Sequence, residues 1–307
     1  MRVIVVGLGI QGRKRRTIAR GDVVATVDPV VEDADWRRIE EVPLDRFDAA
    51  CVCVPDDQKI HLVEYLLSRG KHVLVEKPLL ADDDALRRLD ALATEAGVAC
   101  YTAYNHRFEP HLMRLKTVLD EGSLGELYVV RMFYGNGTAR DVRESAWRDR
   151  GHGVLPDLGS HLLDLVHFFF GALPAEFVPW AVNQFENRSS DHVLFGSASR
   201  PVLELESTLL SWRNTFWVDV FGERGSAHVC GLCKWGPSIF RLRRRVLPSG
   251  RPDEQTETVE RPDPTWAAEY EHFLRLCATG GTNLANDRWI NNALDQLRRR
   301  TAQELPA

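Results

Sequence analysis

The hydrophobic positions of the first hundred residues come in short continuous runs. VIVV (3–6), VVATV (23–27), AACVCV (49–54), HVLVE (72–76) and VACYTAY (98–104) alternate with charged stretches. Strands that are apolar throughout are covered on both faces, so these runs predict a parallel sheet sandwiched by helices. The stretches between them, such as IHLVEYLLSRG (60–70) and DDALRRLDALATEAG (83–97), have helical periodicity: Leu86, Leu89, Leu92 and Ala93 fall on one face.

From about residue 119 the pattern changes. LYVVRMFYG (127–135), DHVLFGSAS (191–199), PVLELESTLLSW (201–212), TFWVDVFG (215–222) and GSAHVCG (225–231) are strand-like and separated by turn residues, which predicts an antiparallel sheet. SHLLDLVHFFFG (160–171) predicts a helix after the first of these strands, and residues 265–303 predict two more. The polar stretch 248–265 reads as a surface loop or hairpin.

Composition narrows the class. The chain has 307 residues, of which 44% are hydrophobic and 27% charged, as in ordinary globular proteins. The 39 basic and 44 acidic residues give a net charge of −5, which argues against nucleic-acid binding by bulk charge. Six cysteines are sparse, and the N-terminal MRVIVVGLGIQGRKRR places apolar before basic residues, the reverse of a secretory signal. A cytoplasmic protein with reduced thiols is expected. No apolar run approaches the roughly 18–20 residues that cross a bilayer, so no membrane association is expected; the longest, 162–173, is broken by Asp164 and His167.

Gly7-Leu8-Gly9-Ile10-Gln11-Gly12 follows the first strand and opens a helical segment, and Asp28 closes the second strand. Glycines at this spacing permit a tight turn, close approach to a pyrophosphate and close helix–strand packing, with the helix amides binding the diphosphate. A carboxylate at Asp28 accepts hydrogen bonds from the adenosine ribose. It would repel a 2′-phosphate by about 4 kcal/mol at ~4 Å and an effective dielectric of ~20. NAD is therefore expected, with NADP as the alternative. Pro55 and Glu76, at the ends of the third and fourth strands, join the expected cofactor set. The basic run Arg13-Lys14-Arg15-Arg16 reads as a solvated or diphosphate-facing turn.

Two clusters carry candidate chemistry. Glu76-Lys77-Pro78 ends the fourth strand at the carboxyl edge of the sheet, where ligands of such folds sit. A partly desolvated lysine there acts as acid or base, although Lys77 taken alone reads equally well as a surface residue. A cis bond before Pro78 would suit a fixed turn. Farther along, Asp157, His161 and Asp164 fall at i, i+4 and i+7, a spacing that places all three on one helical face and lets Asp157 orient the imidazole. Only one histidine lies at ligand spacing, so no metal site is expected.

The glycine turn, GKHVLVEKPL (70–79), YNHRF (104–108) and the Asp157…His161 segment together resemble the glucose–fructose oxidoreductase / inositol dehydrogenase / rhizopine-catabolism (Gfo/Idh/MocA) family over nearly the whole chain. The resemblance implies an α/β fold: a doubly wound Rossmann sheet followed by an α+β domain with an open-faced, mostly antiparallel sheet. We place the dinucleotide-binding domain at residues 1–118 and the substrate-binding and oligomerisation domain at 119–307. It also implies hydride transfer on a small polyhydroxy substrate (a sugar, cyclitol or nucleotide sugar) held between the domains. Lys77, His161 and Asp157 take the family's catalytic positions, and a homodimer or homotetramer is the expected assembly. The chain departs from the family in carrying Lys59 where a histidine is usual and Asp56 where asparagine is frequent.

Asn105, Arg107 and Trp147 are candidate substrate residues, with hydrogen bonding or core packing as their alternative roles. Cys230 and Cys233 form a lone C-x-x-C pair, which is weak support for zinc or redox chemistry. Two other functions remain in view: a reductase of the same fold acting on a non-sugar carbonyl, and a non-catalytic NAD-binding regulator. The intact Lys77, Asp157 and His161 set argues against the regulator, which has no need of it.

Overall fold

The structure, a computed structural model, describes residues 1–145 and 148–304. Its elements run β1 (Val3–Val6), α1 (Ile10–Ala19), β2 (Val23–Val27), β3 (Ala49–Val52), α2 (Asp56–Leu67), β4 (His72–Glu76), α3 (Asp83–Ala96), β5 (Ala99–Ala103) and α4 (Pro110–Asp120). They continue through β6 (Leu127–Gly135), α5 (Ala139–Arg143), α6 (Ser160–Phe170), β7 (Val178–Asn183), β8 (His192–Ser197), β9 (Val202–Thr208), β10 (Thr215–Gly222) and β11 (Gly225–Cys230). The chain closes with β12 (Ser238–Arg244), β13 (Glu254–Val259), α7 (Thr265–Thr279), β14 (Gly281–Thr282) and α8 (Leu284–Glu304).

The chain divides into two compact units. The first comprises Met1–Asn105 and Thr265–Asn291. Its sheet has the order β14-β5-β4-β3-β1-β2, with every pairing parallel. The all-apolar strands explain this: Ile4, Val6, Ala50, Val52, Val73 and Val75 are buried and pack against Val63, Leu66 and Leu67 of α2 and Leu86 and Leu89 of α3. Each fully buried aliphatic side chain of this kind contributes about 1.5–3 kcal/mol. Helix α3 is delimited by local chemistry. The Asp82 carboxylate accepts the Ala85 N–H at 2.7 Å, and Gly97, at φ +64°, ends it.

The second unit comprises His106–Pro264 and Asn292–Ala307. Its eight-stranded sheet runs β13-β12-β11-β10-β6-β9-β8-β7 and is antiparallel except at β6–β9. One face is closed: Val130, Met132 and Tyr134 of β6 are buried, as are Phe216, Val218 and Val220 of β10. Alternate residues are partly exposed, with Phe133 and Trp217 stacked at 5.8 Å and Arg131 paired with Glu204 at 2.5 Å. This is the open face that the family resemblance implies.

Two expectations need adjustment. The division falls at Asn105/His106 rather than at 118/119, because α4 packs on β11, β12 and α6 of the second unit. The tail is also shared. Helix α7 packs on α1 and β5, and β14 extends the parallel sheet beside β5, so Thr265–Asn291 returns to the first unit. The stretch 248–265 contains β13, which pairs with β12 as a hairpin. No helix among the described residues is long and apolar enough to cross a membrane.

Candidate active site

The turn between β1 and α1 is shaped to approach a ligand. Gly7 lies at φ +89°, and a Cβ there would collide with the Cys53 carbonyl; a Cβ at Gly12 would overlap the Gly7 carbonyl. At Gly9 a Cβ would meet no atom of the described residues within 4 Å apart from its own chain neighbours, so its approach is open. Gly9 caps α1 without a side-chain acceptor, and no acidic residue occupies the first turn, so the helix amides and dipole remain available to an anion. Ile10 is 81% exposed beside this turn, and Gln11 is exposed as well.

At the end of β2, Asp28 is fixed by backbone donors. Its carboxylate accepts the Leu8 N–H at 2.7 Å and the Val30 and Val31 N–H groups at 2.9 Å each. Burial works to raise its pKa, but those three amides, together with nearby Arg37, hold it below the ordinary carboxylate range. Arg37 is itself anchored at 2.6 Å to the Val31 carbonyl. A preset carboxylate beside an open glycine turn and uncapped helix amides fits a dinucleotide. Gly7, Gly9 and Gly12 would admit its diphosphate, and Asp28 its adenosine ribose.

Lys77 sits between two anchored neighbours. Glu76 accepts from Arg15 at 2.7 Å; Arg15 is fully buried and also donates to Glu269 at 2.6 Å. Beyond Lys77 the peptide to Pro78 is cis, and the Pro78 carbonyl accepts from Lys59 Nζ at 2.8 Å. Lys59 is 2% exposed and pairs with Asp56 at 2.7 Å. Burial lowers its pKa, as does the Lys77 charge, while Asp56 and Glu76 act in the opposite sense.

A second cluster forms within the other unit. His161, on α6, stacks on His106 with centroids 4.1 Å apart and planes 20° apart, and the Tyr134 ring meets it edge-on at 5.6 Å. All three are buried. Lys234, in the turn after β11, places Nζ 3.1 Å from His106 Nε2 and 3.4 Å from the Tyr134 hydroxyl, and lies 4.2 Å from the Trp235 ring centroid. Burial, with the Asp157 charge adding to it, keeps the Tyr134 phenol well above its usual pKa. The arrangement offers hydroxyl, imidazole and ammonium groups beside aromatic faces, a set suited to binding hydroxylated carbon and moving a proton.

A family model described as an oxidoreductase family with an NAD-binding Rossmann fold matches residues 1–104, and one for the GFO/IDH/MocA C-terminal domain matches residues 112–228. The chain belongs to the Gfo/Idh/MocA oxidoreductase family. An uncharacterized oxidoreductase of Escherichia coli K12, YdgJ, is 30% identical over 222 residues, covering 68% of this chain and 63% of that protein. Inositol 2-dehydrogenase of Rhizobium meliloti is 27% identical over 156 residues, covering 51% of this chain and 43% of that enzyme. The matched stretch thus spans between about two fifths and two thirds of these relatives. Levoglucosan dehydrogenase in complex with NADH shares the fold, with a TM-score of 0.83 at 16% identity over 99% of this chain and 97% of that one.

As a Gfo/Idh/MocA member, the chain carries its NAD-binding Rossmann domain in the first unit. Several residues singled out in the sequence take different surroundings from those expected. Asp157 lies in a π-helical turn, Leu155–Gly159, before α6 begins, so Asp157, His161 and Asp164 do not share one α-helical face. Asp157 pairs with Arg148 at 3.3 Å, whereas buried Asp164 receives the Arg107 guanidinium in a forked contact at 2.5–3.0 Å. Arg107 is thereby engaged inside the protein, and Asn105 donates to Thr265 at 2.7 Å; for both this is the hydrogen-bonding role given as the alternative to substrate contact. Trp147 lies outside the described residues. The basic run is divided: Arg13 and Arg16 are exposed, as expected of a solvated turn, but Arg15 is a buried ion-pair centre. Cys230 is exposed and Cys233 buried, and among the described residues no His, Cys, Asp or Glu group is arranged to hold a metal ion.

Sequence reasoning missed Arg15, His106, Tyr134 and Lys234. The signal for His106 was at hand in YNHRF, but only the fold brings it against His161. Tyr134 belongs to the inward-facing alternation of β6, which reads as core.

Proposed function

We propose that the protein is an NAD-dependent oxidoreductase that interconverts a secondary hydroxyl and a carbonyl on a small polyhydroxy substrate, a sugar, cyclitol or nucleotide sugar. The observation that carries this reading is the His161 cluster, which supplies buried proton-handling groups and aromatic faces in the domain that accompanies an NAD-binding one. A regulator that only senses the dinucleotide has no use for it. The names of the inositol and levoglucosan dehydrogenases point toward the same class of substrate.

The bound dinucleotide supplies the hydride acceptor or donor. Gly7, Gly9, Ile10, Gln11 and Gly12 would hold its diphosphate and Asp28 its ribose, with Pro55 and Glu76 as further residues of the cofactor site. We assign proton transfer to His161 and hydroxyl positioning to Lys77, whose backbone is anchored through Glu76 and Pro78. Asp157 orients the imidazole or binds a neighbouring hydroxyl. In oxidation the substrate hydroxyl gives up its proton to His161; in reduction the same group returns it. Asp28 sets the preference for NAD over NADP.

The open sheet face, with Phe133, Trp217 and half-exposed Tyr128 and Trp180, supports pairing with further copies as a homodimer or homotetramer. The acidic balance supports neither nucleic-acid nor membrane partners, and a cytoplasmic setting accords with six unpaired cysteines. The test is a panel of sugars, cyclitols and nucleotide sugars assayed with NAD and NADP for reduced nicotinamide. Turnover of one polyhydroxy class with NAD is expected. Dinucleotide binding without turnover on any alcohol or carbonyl overturns the reading in favour of a regulator.

A further inference from the structure

The contact between Lys234 and His106 decides the state of one imidazole. Nζ lies 3.1 Å from Nε2. An ammonium has hydrogens to donate and no lone pair, and lysine is more basic than imidazole by about four pKa units, so the shared proton belongs to Lys234. Nε2 is therefore an acceptor, and the ring carries its own proton on Nδ1. A proton added at Nε2 would displace the hydrogen bond and set two cations face to face within a buried cluster.

We propose that Lys234 is a positioning residue that locks His106 as a neutral Nδ1–H imidazole, so that His161 is the one member of the stacked pair that takes up and releases a proton. The two rings are stacked 4.1 Å apart, so charging both would cost repulsion across the stack as well. From β6, the Tyr134 phenol meets both imidazoles and stays protonated. From the π-helical turn, Asp157 is paired with Arg148; from α6 itself, Asp164 is paired with Arg107. Trp235, beside Lys234, carries no charge. In substrate oxidation the hydroxyl O–H bond would break toward His161, with a bound dinucleotide supplying the acceptor for the hydride lost from the C–H bond; reduction would reverse both.

This inference rests on the oxidoreductase reading for its role, but its test does not. Nitrogen-15 NMR of the histidine-labelled full chain, without substrate, reads each imidazole's tautomer. Between pH 5 and 8, His106 is expected to remain Nδ1–H and neutral while His161 titrates. In Lys234→Met, His106 should populate the Nε2–H tautomer and titrate; Lys234→Arg should retain the wild-type pattern. Titration of His106 in the wild-type protein overturns the proposal, as does an unchanged tautomer in a folded Lys234→Met. If Lys234→Met fails to fold, the wild-type and Lys234→Arg spectra decide. In the kinetic arm, the acid limb of the pH profile of kcat/KM should follow one ionisation in the wild type and two in Lys234→Met, and an identical profile overturns it. If the NMR pattern holds but no substrate turns over, the tautomer assignment stands and the oxidoreductase reading fails.

Discussion

Arg15 on α1 donates to Glu76 at the end of β4 at 2.7 Å, so the helix after the glycine turn and the residue preceding Lys77 are joined by one buried ion pair. Glu269 of α7 takes a second donor of the same guanidinium. Removing Arg15 would strand two buried carboxylates, a loss of about 3–5 kcal/mol. Arg15→Met should accordingly lower the urea midpoint strongly, whereas Glu76→Gln, which keeps an acceptor in place, should lower it less. An unchanged midpoint for Arg15→Met would contradict this role.

We expect Asp28 to govern dinucleotide choice. Asp28→Asn removes the charge and keeps one carbonyl oxygen, enough for the Val30 and Val31 amides on Oδ1 but not also for the Leu8 amide on Oδ2. A charge-assisted hydrogen bond contributes about 1.5–3 kcal/mol, so NAD efficiency should fall about 10- to 100-fold while NADP efficiency rises. The measurement is kcat/KM with each dinucleotide. A ratio that stays put would remove Asp28 from specificity.

Lys59 holds the far side of the Lys77 turn through the Pro78 carbonyl. Lys59→Met removes that bond together with a buried charge, and its partner Asp56 is exposed enough to be solvated. Catalysis and stability should therefore separate. We expect kcat to drop about tenfold or more, from the loss of a ~1.5–3 kcal/mol charged hydrogen bond, with the urea midpoint and NADH affinity nearly unchanged. Parallel loss of stability would mean that Lys59 is only structural.

Acid should unfold the protein through its histidines. Burial lowers the pKa of His72, His111, His152 and His167 from the ordinary ~6.5. At His72 the reason is visible: Nδ1 accepts the Ala99 N–H at 2.9 Å, a bond that protonation would break. Because the folded form binds these protons less tightly than the unfolded form, stability is complete above about 6.5 and declines as pH falls through the lowered values. Urea midpoints measured from pH 8 to 5 should fall steadily, and His72→Gln should flatten the slope. A midpoint that rises on acidification would show the sign to be wrong.

Much of the fold was legible because its signals are local. Continuous apolar runs marked β1 to β5, and strand-like runs bounded by turn residues marked β6 and β10 to the residue. What escaped was set by distance along the chain. The return of α7 to the first unit depends on Arg15 finding Glu269, 254 positions away, and no window of sequence shows such a pair. The π-helical turn at Leu155–Gly159 defeated the i, i+4, i+7 reading of Asp157, His161 and Asp164 because helical spacing assumes an unbroken α-helix. The glycine turn was readable from its motif, whereas the companions of His161 come from a turn, a strand and a loop and are assembled by folding alone.

We propose that Lys77 and His161 act on the substrate hydroxyl of an NAD-dependent reaction. Its most direct test is kcat for Lys77→Ala and His161→Asn on the substrate that the panel identifies, with NADH affinity measured by fluorescence on the same samples. We predict a loss of about 10²–10⁴-fold in kcat for each variant with dinucleotide binding preserved. Full turnover by either variant would contradict the account.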